Sequence, residues 1–142
     1  MRVLAIISLV LALAPPAGAQ ALQAVGATPA PNAIGIDRSG PLEVVFDRAL
    51  DPATVTTQTV RVMGRWSGPA AGAFALVDGG TRLRFTPAAP FAAGEIVTLQ
   101  ISRSLRASDG QFLDTAHGWT WWTAVTSAQS VFVPIDTVRV RL

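Results

Sequence analysis

The side chains able to do chemistry are few and far apart. The chain of 142 residues holds one histidine, His117, and no cysteine. A zinc centre draws on several imidazoles or thiolates, so a lone His has no second ligand of its kind to work with. Nucleophilic catalysis needs a base beside a Ser or Thr hydroxyl, and His117 is the one base of the usual type. No set of acid, base and nucleophile is visible around it, and no enzyme is expected. His117 reads instead as an exposed or hydrogen-bonded residue at the start of a strand. Asp109 and Asp114 share one loop and could offer carboxylate oxygens to calcium. Their spacing is not that of an EF-hand, and the two acids read as solvated. The expectation is no catalytic residue, no cofactor and no metal.

Aromatic faces are the other candidates. Trp119, Trp121 and Trp122 are flat enough to stack on sugars. Strand alternation puts 119 and 121 on one face and 122 on the other, so the first two are expected to fill a core. That leaves Trp122, with Trp66 in its glycine-rich loop, as the possible contacts for a ligand or partner. If Trp122 and Asp109 lined one cleft, the chain would read as a small binding protein; separate exposed positions would favour a spacer.

The elements that must position these residues alternate apolar and polar side chains at the period of a strand. Leu42, Val44 and Phe46 fall on one face of Leu42–Asp47, and Leu83 lies between Arg82 and Arg84. Thr59–Met63 places Val60 and Val62 inward, Ala73–Val77 places Phe74 and Leu76 inward, and Glu95–Ser102 aligns Val97, Leu99 and Ile101. Asp78-Gly79-Gly80 joins 73–77 to 81–86 as a hairpin signal. Gly118–Ala124 is the last strand of the domain. A short apolar stretch over 22–27 precedes the breakers Thr28-Pro29-Ala30-Pro31-Asn32, and Ala33–Ile36 resumes an edge strand. Asp51-Pro52 predicts an N-cap and a single helical turn over 52–56. Gly64–Gly72 reads as a loop, and Phe91 as a plug folded over one end of the core. About seven short strands at this spacing, without a helix long enough to cover a parallel sheet, describe an antiparallel β-sandwich.

The first twenty residues differ in kind. Arg2, the apolar run Val3–Ala14 and the small residues Ala17 and Ala19 form a signal peptide over 1–19, cleaved after Ala19. The run is shorter than the roughly 20 residues that span a membrane, and prolines end it. No Cys follows, which removes a lipoprotein anchor. The domain is expected over 22–126, exported to the periplasm, the cell surface or the medium, and about 120 residues suffice for one core. Without Arg2, ten Arg remain against nine Asp and Glu, a formal charge of +1. The high isoelectric point therefore reflects Arg used in place of Lys, and no nucleic-acid partner is expected. In the tail at 127–142, Thr137–Leu142 alternates cleanly. It is expected to add to the sandwich, to lead into a further module, or to recruit a partner by strand addition.

Several stretches together resemble a known family. These are Ala24–Pro29, Pro41–Asp47 followed by Leu50–Val55, Leu83–Pro87, Leu105 with Asp109-Gly110, and Trp119-Thr120-Trp121. In order and spacing they are similar to the bacterial Ig-like domains of the S-layer (SbsA-type) family over about residues 24–125, with Pro31-Asn32-Ala33 where Asn-Gly is usual. The resemblance implies an Ig-like sandwich without catalytic residues, serving as a structural spacer or adhesion module in exported proteins.

Ser108-Asp109-Gly110 before an aromatic closing strand also looks like the end of periplasmic copper-resistance carriers. That likeness implies copper held by a histidine at the mature N-terminus and another just after the Asp-Gly pair. Here those positions hold Gln20 or Ala21 and Gln111, and Cu(II) prefers tetragonal, nitrogen-rich ligation. The reading from sequence is thus a non-catalytic exported module, with a small periplasmic or extracellular protein binding a metal ion or carbohydrate as the alternative.

Overall fold

The computed structural model describes residues 20–125. The expected signal peptide at 1–19 and the tail at 127–142, including the strand expected at Thr137–Leu142, lie outside the described residues. Within them the strands are β1 (Ala24–Thr28), β2 (Ile34–Ile36), β3 (Leu42–Phe46), β4 (Val60–Gly64), β5 (Gly68–Pro69), β6 (Gly72–Val77), β7 (Arg82–Pro87), β8 (Ile96–Ile101) and β9 (His117–Thr123). They form a four-stranded sheet in the order β1-β3-β7-β6 and a five-stranded sheet in the order β2-β9-β8-β4-β5. All pairings are antiparallel except β2 with β9.

The alternation explains the layers. Leu42, Val44, Phe46, Leu83 and Phe85 from one sheet meet Val60, Val62, Val97, Leu99, Ile101 and Trp121 from the other, all buried. Phe74 and Leu76 on the edge strand β6 pack against this core while remaining half-buried. Phe91 is buried as the end plug, its N–H bonded to the Arg38 carbonyl at 3.0 Å. The chain before β1 is also tied in: Leu22 is fully buried and bridges Leu113.

Two elements depart from the sequence reading. The loop expected over 64–72 contains β5, whose two residues pair with Met63 and Gly64. A two-residue strand is too short to show a period, so alternation could not reveal it. The helical turn is a 3-10 turn over Pro52–Thr54, shorter than 52–56. The Asp51 carboxylate accepts from the Ala53 N–H at 3.0 Å, and Val55 ends the turn in extended geometry. The hairpin residues Asp78, Gly79 and Gly80 have φ of 51°, 67° and 90°, which is why glycine follows glycine there.

Candidate functional site

The two sheets present different outer faces. On the four-stranded sheet, Glu43 points outward yet is nearly buried, because Arg82 Nη1 and Arg84 Nε donate to its two oxygens at 2.8 and 2.6 Å. The Arg82 guanidinium, and that of Arg84, hold the Glu43 carboxyl below the usual carboxylate range against the opposing effect of burial. Arg82 also pairs with Asp78 at 2.7 Å. That face neutralises itself.

The five-stranded sheet carries three cross-strand rows on its outer face. In the first, Ile34 on β2 pairs with Trp122 on β9, which pairs with Ile96 on β8; the Arg65 N–H, just past β4, donates to the Ile96 carbonyl at 2.8 Å. The second row runs Thr120, Thr98, Met63, Pro69, and the third Gly118, Gln100, Arg61. None of these residues is acidic. Ile34 is 84% exposed and Met63 46%, with Trp66 65% exposed in the turn after β4, so the face carries apolar side chains in its first two rows and an arginine at either end, Arg65 and Arg61. No carboxylate of the described residues lies within 4.0 Å of Arg61, Arg65 or Arg103.

Trp66 is displayed by a buried carboxylate. Glu95 is fully buried, and its Oε2 accepts the N–H groups of Trp66 and Ser67 at 2.9 and 3.1 Å. Its Oε1 accepts the Ala92 N–H at 2.6 Å and the Ser67 hydroxyl. Burial alone would raise this carboxyl, but the Ser67 hydroxyl and the backbone N–H groups of Trp66, Ser67 and Ala92 bring it below the usual range. Thr123 completes the anchor: its Oγ1 accepts the Glu95 N–H at 2.9 Å and donates to the Ala92 carbonyl at 2.7 Å. Sequence inspection passed over Glu95. The signal available was a lone charge after Gly94, at the head of an apolar strand.

The expected core pair of tryptophans divides. Trp121 is fully buried, with Nε1 donating to the carbonyls of Pro29 and Ala30 at 2.9 and 3.0 Å, whereas Trp119 packs against the same core while half-buried and stacks on His117. Trp122 is half-buried on the opposite face. His117 is neither exposed nor satisfied: Nε2 is buried without a hydrogen bond, 3.6 Å from Asp114 Oδ1. Strand position could not foresee this, because it depends on the ring lying flat against Trp119.

The loop acids serve other ends. Asp109 accepts from Arg48 Nη1 at 3.1 Å and from the Gln111 N–H at 3.0 Å, while Asp114 accepts from the Thr115 N–H at 2.6 Å. Arg48 Nη1 also donates to the Gln20 carbonyl at 2.9 Å. The Asp-Gly loop and the start of the domain are thus adjacent, but a guanidinium joins them. Trp122 and Asp109 belong to separate surfaces, the first between Ile34 and Ile96, the second against Arg48. Among the described residues, no three His, Asp or Glu side chains gather to hold a metal ion, and no helix is long and apolar enough to cross a membrane.

With this sandwich in view, the family is decided by the match of residues 18–123 to the model of the bacterial Ig-like domain. The chain belongs to the bacterial Ig-like domain family. No curated protein matches it. The fold of this bacterial Ig-like domain is similar to that of solved structures of low identity. The S-layer protein SbsC shares 16% identity at a TM-score of 0.54, over 75% of this chain and 14% of that one. Alpha-2-macroglobulin from Escherichia coli, in a structure spanning domains MG0-NIE-MG1, shares 18% at 0.59, over 76% and 33%. CopC from Methylosinus trichosporium OB3b shares 15% at 0.55, over 73% and 94%. The bacterial Ig-like domain described here therefore spans about a seventh of the length of the S-layer protein it matches.

Proposed function

We propose that this bacterial Ig-like domain is an exported, non-catalytic interaction module at the cell envelope, and that its contact surface is the outer face of the five-stranded sheet. The observation that carries the reading is the exposure of Ile34 beside Trp122 and of Met63 on the same outer face, with the exposed Trp66 in the turn that follows β4. Contiguous apolar patches on a soluble domain mark contact sites, and Trp, Met and Arg are the residues enriched in such interfaces. The buried Glu95 supports it further, since an ionised carboxylate is costly to bury and here holds the Trp66 backbone in place. Export rests on the signal peptide read at 1–19. An adhesion or spacer role of the S-layer (SbsA-type) kind is supported by the family and by the likeness of fold to SbsC.

The test is photo-crosslinking in the producing cell. A benzophenone side chain at position 34 or 66 is compared with one at position 75 or 84, on the outer face of the four-stranded sheet. Adducts from 34 and 66 alone support the reading. Equal adducts from both faces, or none from either, overturn it. Recovery of a product beginning near Gln20 from the envelope or medium would confirm export, and retention of residues 1–19 in the cytoplasm would refute it.

A further inference from the structure

The end of the same face that carries the third row is a groove. It has a volume of 590 Å³ and is lined by residues of the third row and the segments beside it, among them Gln58, Arg61, Gln100, Ser102, Arg103 and His117. Gly118 pairs with Gln100 across β9 and β8 and brings no side chain, so it leaves the floor open; a Cβ there would meet nothing within 4 Å. Arg61 Nη2 reaches the Gln58 amide oxygen at 3.4 Å, a weak bond that leaves its donors available. Arg103 has no carboxylate of the described residues within 4.0 Å. Asp114 stands at the margin, facing His117.

We infer that this groove binds a polysaccharide whose sugar rings carry carboxylates, with Arg61 and Arg103 taking the carboxylate groups. The inference rests on the interaction reading above and names its partner. A guanidinium presents a planar fork of donors that matches a carboxylate, and here no carboxylate of the described residues occupies the fork. Among the described residues three arginines are held by acids, Arg48 by Asp47 and Asp109, Arg82 by Glu43 and Asp78, and Arg84 by Glu43, while Arg38, Arg65 and Arg106 share with Arg61 and Arg103 the lack of a carboxylate within 4.0 Å. Two guanidiniums without a carboxylate of the described residues, both lining one open groove, set a charge complement for an anion. The neutral part of the lining suits the hydroxyls of a sugar, and an acidic peptide is the occupant that the test below separates from it. Gln58, Gln100 and Ser102 both donate and accept, as sugar hydroxyls do. Four residues along β9 from Gly118, about 13 Å away, Trp122 offers an aromatic face over which further rings of the same chain could extend.

The test titrates the full exported chain with oligogalacturonate, followed by calorimetry, with dextran as the neutral control and poly-glutamate as the acidic polypeptide. Binding of oligogalacturonate that weakens with salt, is absent for dextran and exceeds that of poly-glutamate supports the inference. Arg61→Gln and Arg103→Gln should each weaken it about tenfold, as expected for a lost charge-assisted hydrogen bond, while the melting temperature stays unchanged. Arg84→Gln, on the other sheet, should leave affinity unchanged. Equal or tighter binding of poly-glutamate would assign the groove to an acidic protein and overturn the inference. Absence of oligogalacturonate binding, or binding insensitive to both substitutions, would overturn it as well. Neither result bears on the crosslinks at 34 and 66, so the failure of this inference is distinguishable from failure of the interaction reading.

Discussion

Glu95 Oε2 accepts the Trp66 backbone N–H at 2.9 Å, so the most buried carboxylate of the domain supports one of its most exposed aromatic rings. Two residues before Trp66, a Cβ on Gly64 would lie 2.5 Å from the same oxygen. Strand β4, the 65–67 turn and β8 are thereby locked around one charge. Removing it should cost more than a surface substitution. Glu95→Ala is expected to lose about 3–5 kcal/mol, because three backbone N–H groups and the Ser67 hydroxyl lose their acceptor. Denaturant unfolding of the two proteins measures this; a loss below about 1 kcal/mol would mean water replaces the carboxylate without penalty.

The same carboxylate gives stability a pH dependence of known sign. Glu95 and Glu43 are both depressed in the folded domain from an ordinary value of 4.5, and Asp47 from 3.8. A depressed folded pKa contributes stability that is present above the unfolded value and is lost as pH falls through the folded one. Melting temperature should therefore be insensitive to these groups from neutral pH down to about 5 and fall steeply below about 4. Glu95→Gln should flatten part of that acid limb while lowering stability at neutral pH. An acid limb identical in wild type and variant would show that Glu95 does not report through this route.

Glycines on the strands are not equivalent. At Gly64 an added methyl meets Glu95 and Ser67, and at Gly72 it meets the Phe85 ring at 2.5 Å, inside the sandwich edge. Gly64→Ala and Gly72→Ala are each expected to destabilise by about 1–3 kcal/mol, the usual cost of overpacking. Gly118→Ala meets nothing and should be neutral or stabilising by up to about 1 kcal/mol, since alanine lowers the entropy of the unfolded chain. Thermal unfolding of the three variants gives the order directly.

Trp121 and Ile34 separate core from contact surface. Trp121→Phe removes the donor to Pro29 and Ala30 and leaves a void, with an expected loss of about 2–4 kcal/mol. Ile34, 84% exposed, should accept Thr within about 0.5 kcal/mol. Chemical denaturation compares the two; a large loss on Ile34→Thr would make that side chain structural and withdraw it from the proposed face.

Much of this fold was legible from period alone. Alternation at 42–46, 60–63, 82–86 and 96–101 named the residues that each strand buries, because a pleated strand sends successive side chains to opposite faces regardless of its neighbours. The turn at 78–80 and the N-cap at Asp51 were legible for a similar reason, as each is a bargain struck within a few residues. Trp122 and Trp66 were both named as contacts, but the neighbours of Trp122 were not visible. Sequence cannot say that β2 runs parallel beside β9 and brings Ile34 against Trp122, since pairing depends on which edges meet in space.

Local pattern in the sequence was enough for a β-sandwich and its buried faces, because alternation and turn residues act within a few positions. Tertiary structure alone decided which charges cancel. Eleven arginines look alike in the chain, and only the sheet order shows that Arg82 and Arg84 share Glu43 while Arg61 and Arg103 flank an open groove. The physical reason is that charges act over a few ångströms through space, whatever their separation along the chain.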